Sequence, residues 1–180
     1  MMGAGRAEIN PSRRIFRFRD QAFGLISTGT EKIRSGFGNG DCIMLDFTHR
    51  VFAVADGSER APWASRDLLT RLWTSLLQYG TPESLGEWID MLNERVYSGQ
   101  KYQHKTTFSC VAVRGEGDEK RLFIFHGGDS IVTLMNPAEG SILFQTGRDM
   151  NFAGRSKSIA DCTEHSLADR NIRVAISTDG

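Results

Sequence analysis

Val51-Phe-Ala-Val-Ala-Asp56-Gly57 decides the fold: five apolar residues rich in β-formers run straight into an aspartate and a glycine. The pattern returns twice. Leu122-Phe-Ile-Phe125 leads through His126-Gly-Gly to Asp129-Ser130, and Ile172-Arg-Val-Ala-Ile176 leads through Ser177-Thr178 to Asp179-Gly180. A fourth aspartate, Asp41, precedes the strand beginning at Cys42, after the bend Gly36-Phe-Gly-Asn-Gly40. One Asp-Gly after a strand is a common turn signal. Four aspartates at strand ends ask for more. Carboxylates on rigid strand ends converge at small entropic cost, and clustered carboxylates repel unless a cation neutralises them. Hard oxygen ligands suit Mg²⁺ or Mn²⁺, and two such ions, about 4 Å apart, generate a hydroxide nucleophile and clamp a phosphoryl oxygen.

Outward from these motifs, the chain reads as two strand-rich blocks on either side of one helical block. The Gly- and Ala-rich residues 1–12 read as a loose lead-in to one domain over residues 13–180. A strand-like stretch covers residues 15–26, and strands Cys42 to Phe47 and Val51 to Ala55 form a hairpin around Thr48-His49-Arg50. Leu68, Leu69, Leu72, Trp73, Leu76 and Leu77 recur at helical spacing up to Gly80. Thr81 is the expected cap of a second helix, with Pro82 at its first position. Its stripe continues through Leu85, Trp88, Ile89, Leu92 and Val96 to Gly99, and both tryptophans are expected in the core. Further strands are expected at residues 107–113, 122–126, 131–135, 142–145 and 172–177. Two strand sets around one helical pair do not alternate as βαβ units, which favours α+β, sheet packed on sheet with helices outside.

Composition excludes several classes. Twenty-two basic and twenty-two acidic residues cancel, so neither a nucleic-acid nor a membrane partner is indicated; the basic run Arg13, Arg14, Arg17, Arg19 reads as a solvated strand face. No apolar run approaches the roughly 20 residues needed to cross a bilayer, and no signal-peptide pattern opens the chain, so a cytoplasmic location is the default expectation. Cys42, Cys110 and Cys162 form no CxxC pair, which argues against a zinc site or disulfide framework. None precedes an arginine by the five residues a cysteine phosphatase needs, and no GxxxxGK[ST] loop is present. His126 beside Gly127-Gly128-Asp129 is read as a core or supporting histidine rather than a proton donor.

Phe52-Ala-Val-Ala-Asp56-Gly57, Lys105-Thr-Thr-Phe108, Phe125-His-Gly-Gly-Asp129-Ser130 and Ile176-Ser-Thr-Asp179-Gly180 occur in this order. They resemble the successive signatures of the metal-dependent serine/threonine protein phosphatases of type 2C, and Asn39-Gly-Asp41 sits where that family has its first acidic pair. The resemblance covers about residues 35 to 180. It implies a central β-sandwich of two mainly antiparallel sheets flanked by helices (αββα), two Mg²⁺ or Mn²⁺ ions in a cleft at one end, and a phosphorylated protein as substrate. Carried over by position, Asp56 bridges both metals, the Gly57 carbonyl is a ligand, Asp41 holds one metal and Asp179 the other. Asp129 serves an outer shell or a third metal, and Arg34 is a candidate for the substrate phosphate, although its register is off.

The departures are specific. Gly40 replaces the family's glutamate, Ser58 stands where some members carry a histidine acid, Lys105 replaces the strand-starting glycine, and Ile131 a frequent arginine. The family's last ligand, an aspartate in an Asp-Asn context, falls beyond Gly180, so the chain either is a piece of a longer protein, which is the expectation, or lacks this metal ligand. The functional expectation is hydrolysis of phosphoserine and phosphothreonine by metal-activated water. A non-catalytic regulatory or protein-binding relative is the alternative, and an unrelated α+β domain with Asp-Gly turns is the bland one.

Overall fold

The structure, a computed structural model, describes residues 7–9, 15–18, 22–27, 39–167 and 171–178. Six strands form one antiparallel sheet: β1 (Ala7–Ile9), β4 (Asp41–Asp46), β5 (Val51–Asp56), β6 (Phe108–Arg114), β7 (Arg121–Gly127) and β10 (Asp161–Ser166), in that spatial order. Three more, β11 (Arg173–Ser177), β8 (Ile131–Asn136) and β9 (Ser141–Gln145), form a second antiparallel sheet. β2 (Ile15–Phe18) and β3 (Ala22–Leu25) make a separate hairpin, within the stretch expected to be strand. Within the segment read as a lead-in, Ala7 to Ile9 pair with Asp46 to Met44.

The side-chain period of two sorts the larger sheet into two covered faces. Val51, Ala53 and Ala55 of β5, Phe108, Cys110 and Ala112 of β6, and Phe123 and Phe125 of β7 are buried in the larger core cluster, against the helices. The alternate residues Val111, Leu122 and Ile124 pack with Val132 and Leu134 of β8 in a second cluster between the sheets. The expected sandwich is therefore present, and its two cores follow from apolar residues on both faces of β6 and β7. Helix α1 (Ala64–Tyr79) lies across β4 and β5.

In α1, Leu68, Leu69, Leu72 and Leu76 are fully buried, but Leu77 is 60% exposed. Leu77 lies nine residues past Leu68, about two and a half turns, and so points away from the core. Gly80 ends the helix at φ +80°, its N–H donating to the Leu76 carbonyl (2.9 Å). The second helix begins later than expected: α2 is Leu85–Met91, capped by Ser84. Ser84 Oγ accepts from the Glu87 N–H, and the Glu87 carboxylate accepts from the Ser84 N–H, each at 3.3 Å. This reciprocal capping box satisfies two amides that Thr81-Pro82 leaves open. A π-helical stretch, Leu92–Tyr97, continues α2. Trp88 is fully buried against Phe125 (ring centroids 5.2 Å) and Trp73 packs on the same core, as expected of both.

Candidate active site

Antiparallel pairing brings the beginning of one strand to the end of the next. The start of β4, the end of β5, the start of β6 and the end of β7 therefore share one edge of the larger sheet. The Ser177↔Ile131 pairing puts the end of β11 beside the start of β8. The motif-bearing strand ends thus gather at one end of the sandwich.

At its centre, Asp41 and Asp56 are directly opposed cross-strand partners. In β4, residues 42, 44 and 46 are buried and residues 41, 43 and 45 half-buried, so Asp41 lies on the face toward the second sheet. Asp56 follows Phe52 and Val54 on that face of β5. Like charges directly opposite each other destabilise a sheet. Asp41 Oδ1 is buried and has no hydrogen-bond partner among the described residues; such an atom costs about 1–3 kcal/mol. A cavity of about 200 Å³ opens beside Asp41, lined also by Ile43, Val54, Ile176, Ser177 and Thr178 among others.

The backbone around Asp56 is fixed by the threonines of the Lys105-Thr-Thr-Phe108 motif. The Asp56 N–H donates to Thr107 Oγ1 (2.9 Å), and its carbonyl accepts from Thr106 Oγ1 (2.7 Å) and the Thr107 N–H (3.0 Å). Thr107 Oγ1 in turn bonds Ser130 Oγ at 2.5 Å. Three of the motifs are thereby joined by hydrogen bonds, with Thr106, Thr107 and Ser130 buried and Asp56 half-buried. Sequence reasoning gave Thr106, Thr107 and Ser130 no role, although the motifs contain them.

Gly40 is held equally closely. Its carbonyl accepts from the Gly57 N–H (2.9 Å) and from Ser65 Oγ (2.5 Å). A Cβ at position 40 would collide with the Gly57 carbonyl oxygen and lie 2.6 Å from Asp56 Oδ1. Glutamate at this position is therefore incompatible with the present backbone, a physical reason for the departure.

Asp129 is half-buried in the turn after β7, and Gly128 beside it takes φ +99°. Asp149, another residue the sequence did not single out, latches this turn: its Oδ1 accepts from the Gly128 N–H (2.6 Å) and the Asn151 N–H (2.7 Å). Among the described residues, no group of three or more His, Cys, Asp or Glu side chains comes together as a metal site. The structure thus opposes Asp41 and Asp56 but does not add Asp129 to them as a third carboxylate. Arg34 and Asp179 lie outside the described residues; Thr178, adjacent to Asp179, lines the cavity with Asp41.

His126 is buried two strands across from Val54, its Nδ1 bonded to Ser109 Oγ (3.1 Å), which suits a core residue. Burial pushes the Cys42 thiol, beside Asp41, up to about 12; Arg66 opposes the shift and Asp41 adds to it. Burial, reinforced by Asp161, pushes Cys162 to about 12, and burial alone raises Cys110. None of the three is a thiolate nucleophile at neutral pH. No helix among the described residues is long and apolar enough to cross a membrane.

No family profile matches the sequence, and no curated protein matches it. Solved structures do. The catalytic domain of the serine/threonine protein phosphatase PstP, in complex with two manganese ions, superposes with a TM-score of 0.59 at 17% identity, over 94% of this chain and 75% of that one. The Mycobacterium tuberculosis serine/threonine phosphatase PstP/Ppp gives 0.50 at 17% identity, over 96% and 77%. A bacterial serine phosphatase gives 0.54 at 17% identity, over 74% and 66%. The chain has the fold of the type 2C serine/threonine phosphatase catalytic domains, as the order of its motifs led us to expect.

Proposed function

We propose that this protein is a metal-dependent phosphoprotein phosphatase that hydrolyses phosphoserine and phosphothreonine. The observation that carries this reading is the opposed pair Asp41–Asp56, with a buried, unpartnered Asp41 oxygen, on a phosphatase fold. Two carboxylates and the Gly57 carbonyl would supply hard oxygen donors of the kind that suit Mg²⁺ or Mn²⁺. Asp41 and Asp56 would hold the metal, two ions being expected, with Asp179 completing the set and Asp129 in a supporting position. When bound, such ions supply a hydroxide at neutral pH and neutralise charge on the phosphoryl oxygens.

The chain's own residues do the rest. Thr106 and Thr107 lock the Asp56 backbone at both its N–H and its carbonyl, which fixes the point from which its carboxylate projects. Ser130 ties the Asp129 turn to the same clamp. Ser58 has no imidazole with which to protonate the leaving alkoxide, so that proton comes from solvent in this reading.

Manganese-dependent release of p-nitrophenol from p-nitrophenyl phosphate, lost in Asp56→Ala, tests the proposal. A full chain saturated with Mn²⁺ that turns over neither this compound nor any phosphopeptide overturns it. One specific feature favours the second reading, a non-catalytic phosphatase-like binding domain: Gly40 removes a family carboxylate, and the backbone now excludes its return. Phosphopeptide binding without turnover by the metal-loaded chain would select that reading.

A further inference from the structure

We propose that residues 101–105 and 155–157 form a docking lip for acidic sequence flanking the phosphorylated residue of a polypeptide substrate; this rests on the phosphatase reading above. The protein carries equal numbers of basic and acidic residues, yet the segments 100–107 and 152–158 contain Lys101, Lys105, Arg155 and Lys157 and no carboxylate. These two segments are stitched together. The Thr106 N–H donates to the Ala153 carbonyl (3.1 Å), the Ala153 N–H to the Thr106 carbonyl (2.9 Å), and Lys157 Nζ to the Gln100 carbonyl (2.9 Å). All four cations belong to exposed residues, and among the described residues none pairs with a carboxylate.

Two exposed aromatics accompany them: Tyr102, 73% exposed, and Trp63, 51% exposed. Large exposed aromatics beside cations are the side chains that dominate binding energy at polypeptide interfaces. The patch also adjoins the acid pair. The Ser58 N–H donates to the Lys105 carbonyl (3.1 Å), and the next residue, Thr106, clamps Asp56. An anionic, cation-holding centre thus sits against a cationic lip, with Glu59 the one exposed acid in the neighbouring turn.

That juxtaposition selects the occupant. A phosphoryl group reaches the aspartate pair through its cation, while carboxylates beside it lie over Lys101, Lys105 and Arg155. Lys105, where the type 2C pattern has glycine, adds charge to the lip at the point nearest the clamp. Charge complementarity of this kind sets partner choice and encounter rate.

The test compares labelled phosphoserine peptides with acidic or neutral flanks, titrated into the full chain by fluorescence anisotropy in a chelator, so that nothing is turned over. Repulsion between phosphate and the bare aspartates is common to both peptides and cancels in the ratio. The acidic peptide should bind roughly tenfold more tightly at low salt, a preference that fades by about 1 M salt. Lys101→Glu/Lys105→Glu should abolish it, and Arg155→Glu alone should weaken it, with melting temperatures unchanged. The same reversal at Lys120, in the turn before β7, should leave it intact. Equal affinities, a preference that survives the double reversal, or displacement of the acidic peptide by single-stranded RNA of equal charge overturns the proposal. Hydrolysis of p-nitrophenyl phosphate, assayed separately with Mn²⁺, reports on the phosphatase reading: preference without turnover sinks that reading alone, and turnover without preference sinks the lip alone.

Discussion

β4 begins and ends with an aspartate, and the chain treats the two in opposite ways. Asp46, fully buried, is saturated by the turn that follows it: Oδ1 accepts from the Thr48 N–H (2.9 Å) and the His49 N–H (3.0 Å), and Oδ2 contacts His49 Nδ1 at 2.6 Å. Asp41 lies opposite another aspartate and keeps a buried oxygen without a partner among the described residues. Its N–H is provided for by Asn39 Oδ1 (2.9 Å), so the backbone is satisfied where the carboxylate is not. The difference separates architecture from chemistry. Asp46 is surrounded by donors, whereas Asp41 keeps one buried oxygen open among the described residues, the feature on which the proposed cation site rests.

The largest effect expected from that contrast is catalytic. Asp56→Ala should lower Mn²⁺-dependent phosphate release by on the order of 10²–10³-fold, the range for removing one preorganised charge-stabilising group, while Asp46→Ala should leave the turnover of whatever protein stays folded largely intact. Steady-state assays on both variants check this. The next effect is on stability. Asp46→Ala strands two backbone amides and should cost about 1–3 kcal/mol in urea unfolding. Asp41→Asn in metal-free protein should act in the other direction, raising stability by about 0.2–1 kcal/mol through relief of cross-strand repulsion. If both substitutions destabilise alike, the contrast between the strand's two ends is broken.

Thr107→Val sharpens it. The methyl preserves shape but leaves the Asp56 N–H and Ser130 Oγ without the hydroxyl that joins them. Mn²⁺ affinity measured by calorimetry should fall by about 10–100-fold, as for other supporting partners of metal ligands. Wild-type affinity in this variant would show that the clamp positions nothing.

The smallest effect lies far from the site. Partial burial beside Phe144 (4.6 Å between ring centroids) holds the His165 imidazole below its ordinary pKa. The unfolded chain therefore binds this proton more readily than the folded one, and stability should decline as pH falls below about 6.5. His165→Phe should flatten that part of a melting-temperature profile taken between pH 7 and pH 5.

Much of this was readable from residue order alone, because the motifs couple local pattern to position. Val51 to Ala55 is an unbroken apolar run, the pattern of a strand with both faces covered, and the aspartates fall where such strands stop. The strand Asp161–Ser166 escaped notice because Asp-Cys-Thr-Glu-His-Ser carries no apolar alternation; it is held by pairing with β7 at the sheet's edge. The start of the second helix was misread because Thr81-Pro82 satisfies the usual start rule, whereas Ser84 and Glu87 satisfy it twice over. The Asp149 latch depends on a contact 21 residues distant, which no local pattern announces. The threonine clamp was visible only as letters in a motif: that Thr107 reaches both Asp56 and Ser130 follows from pairing of β5, β6 and β7.

Thermal unfolding of the metal-free full chain, with and without Mn²⁺, tests most directly whether Asp41 and Asp56 form a cation site. The account predicts that Mn²⁺ at a hundredfold excess over its dissociation constant stabilises the wild-type chain by about 2.7 kcal/mol and leaves Asp41→Asn/Asp56→Asn unmoved. An equal shift in both proteins, or no shift in the wild type, would contradict it.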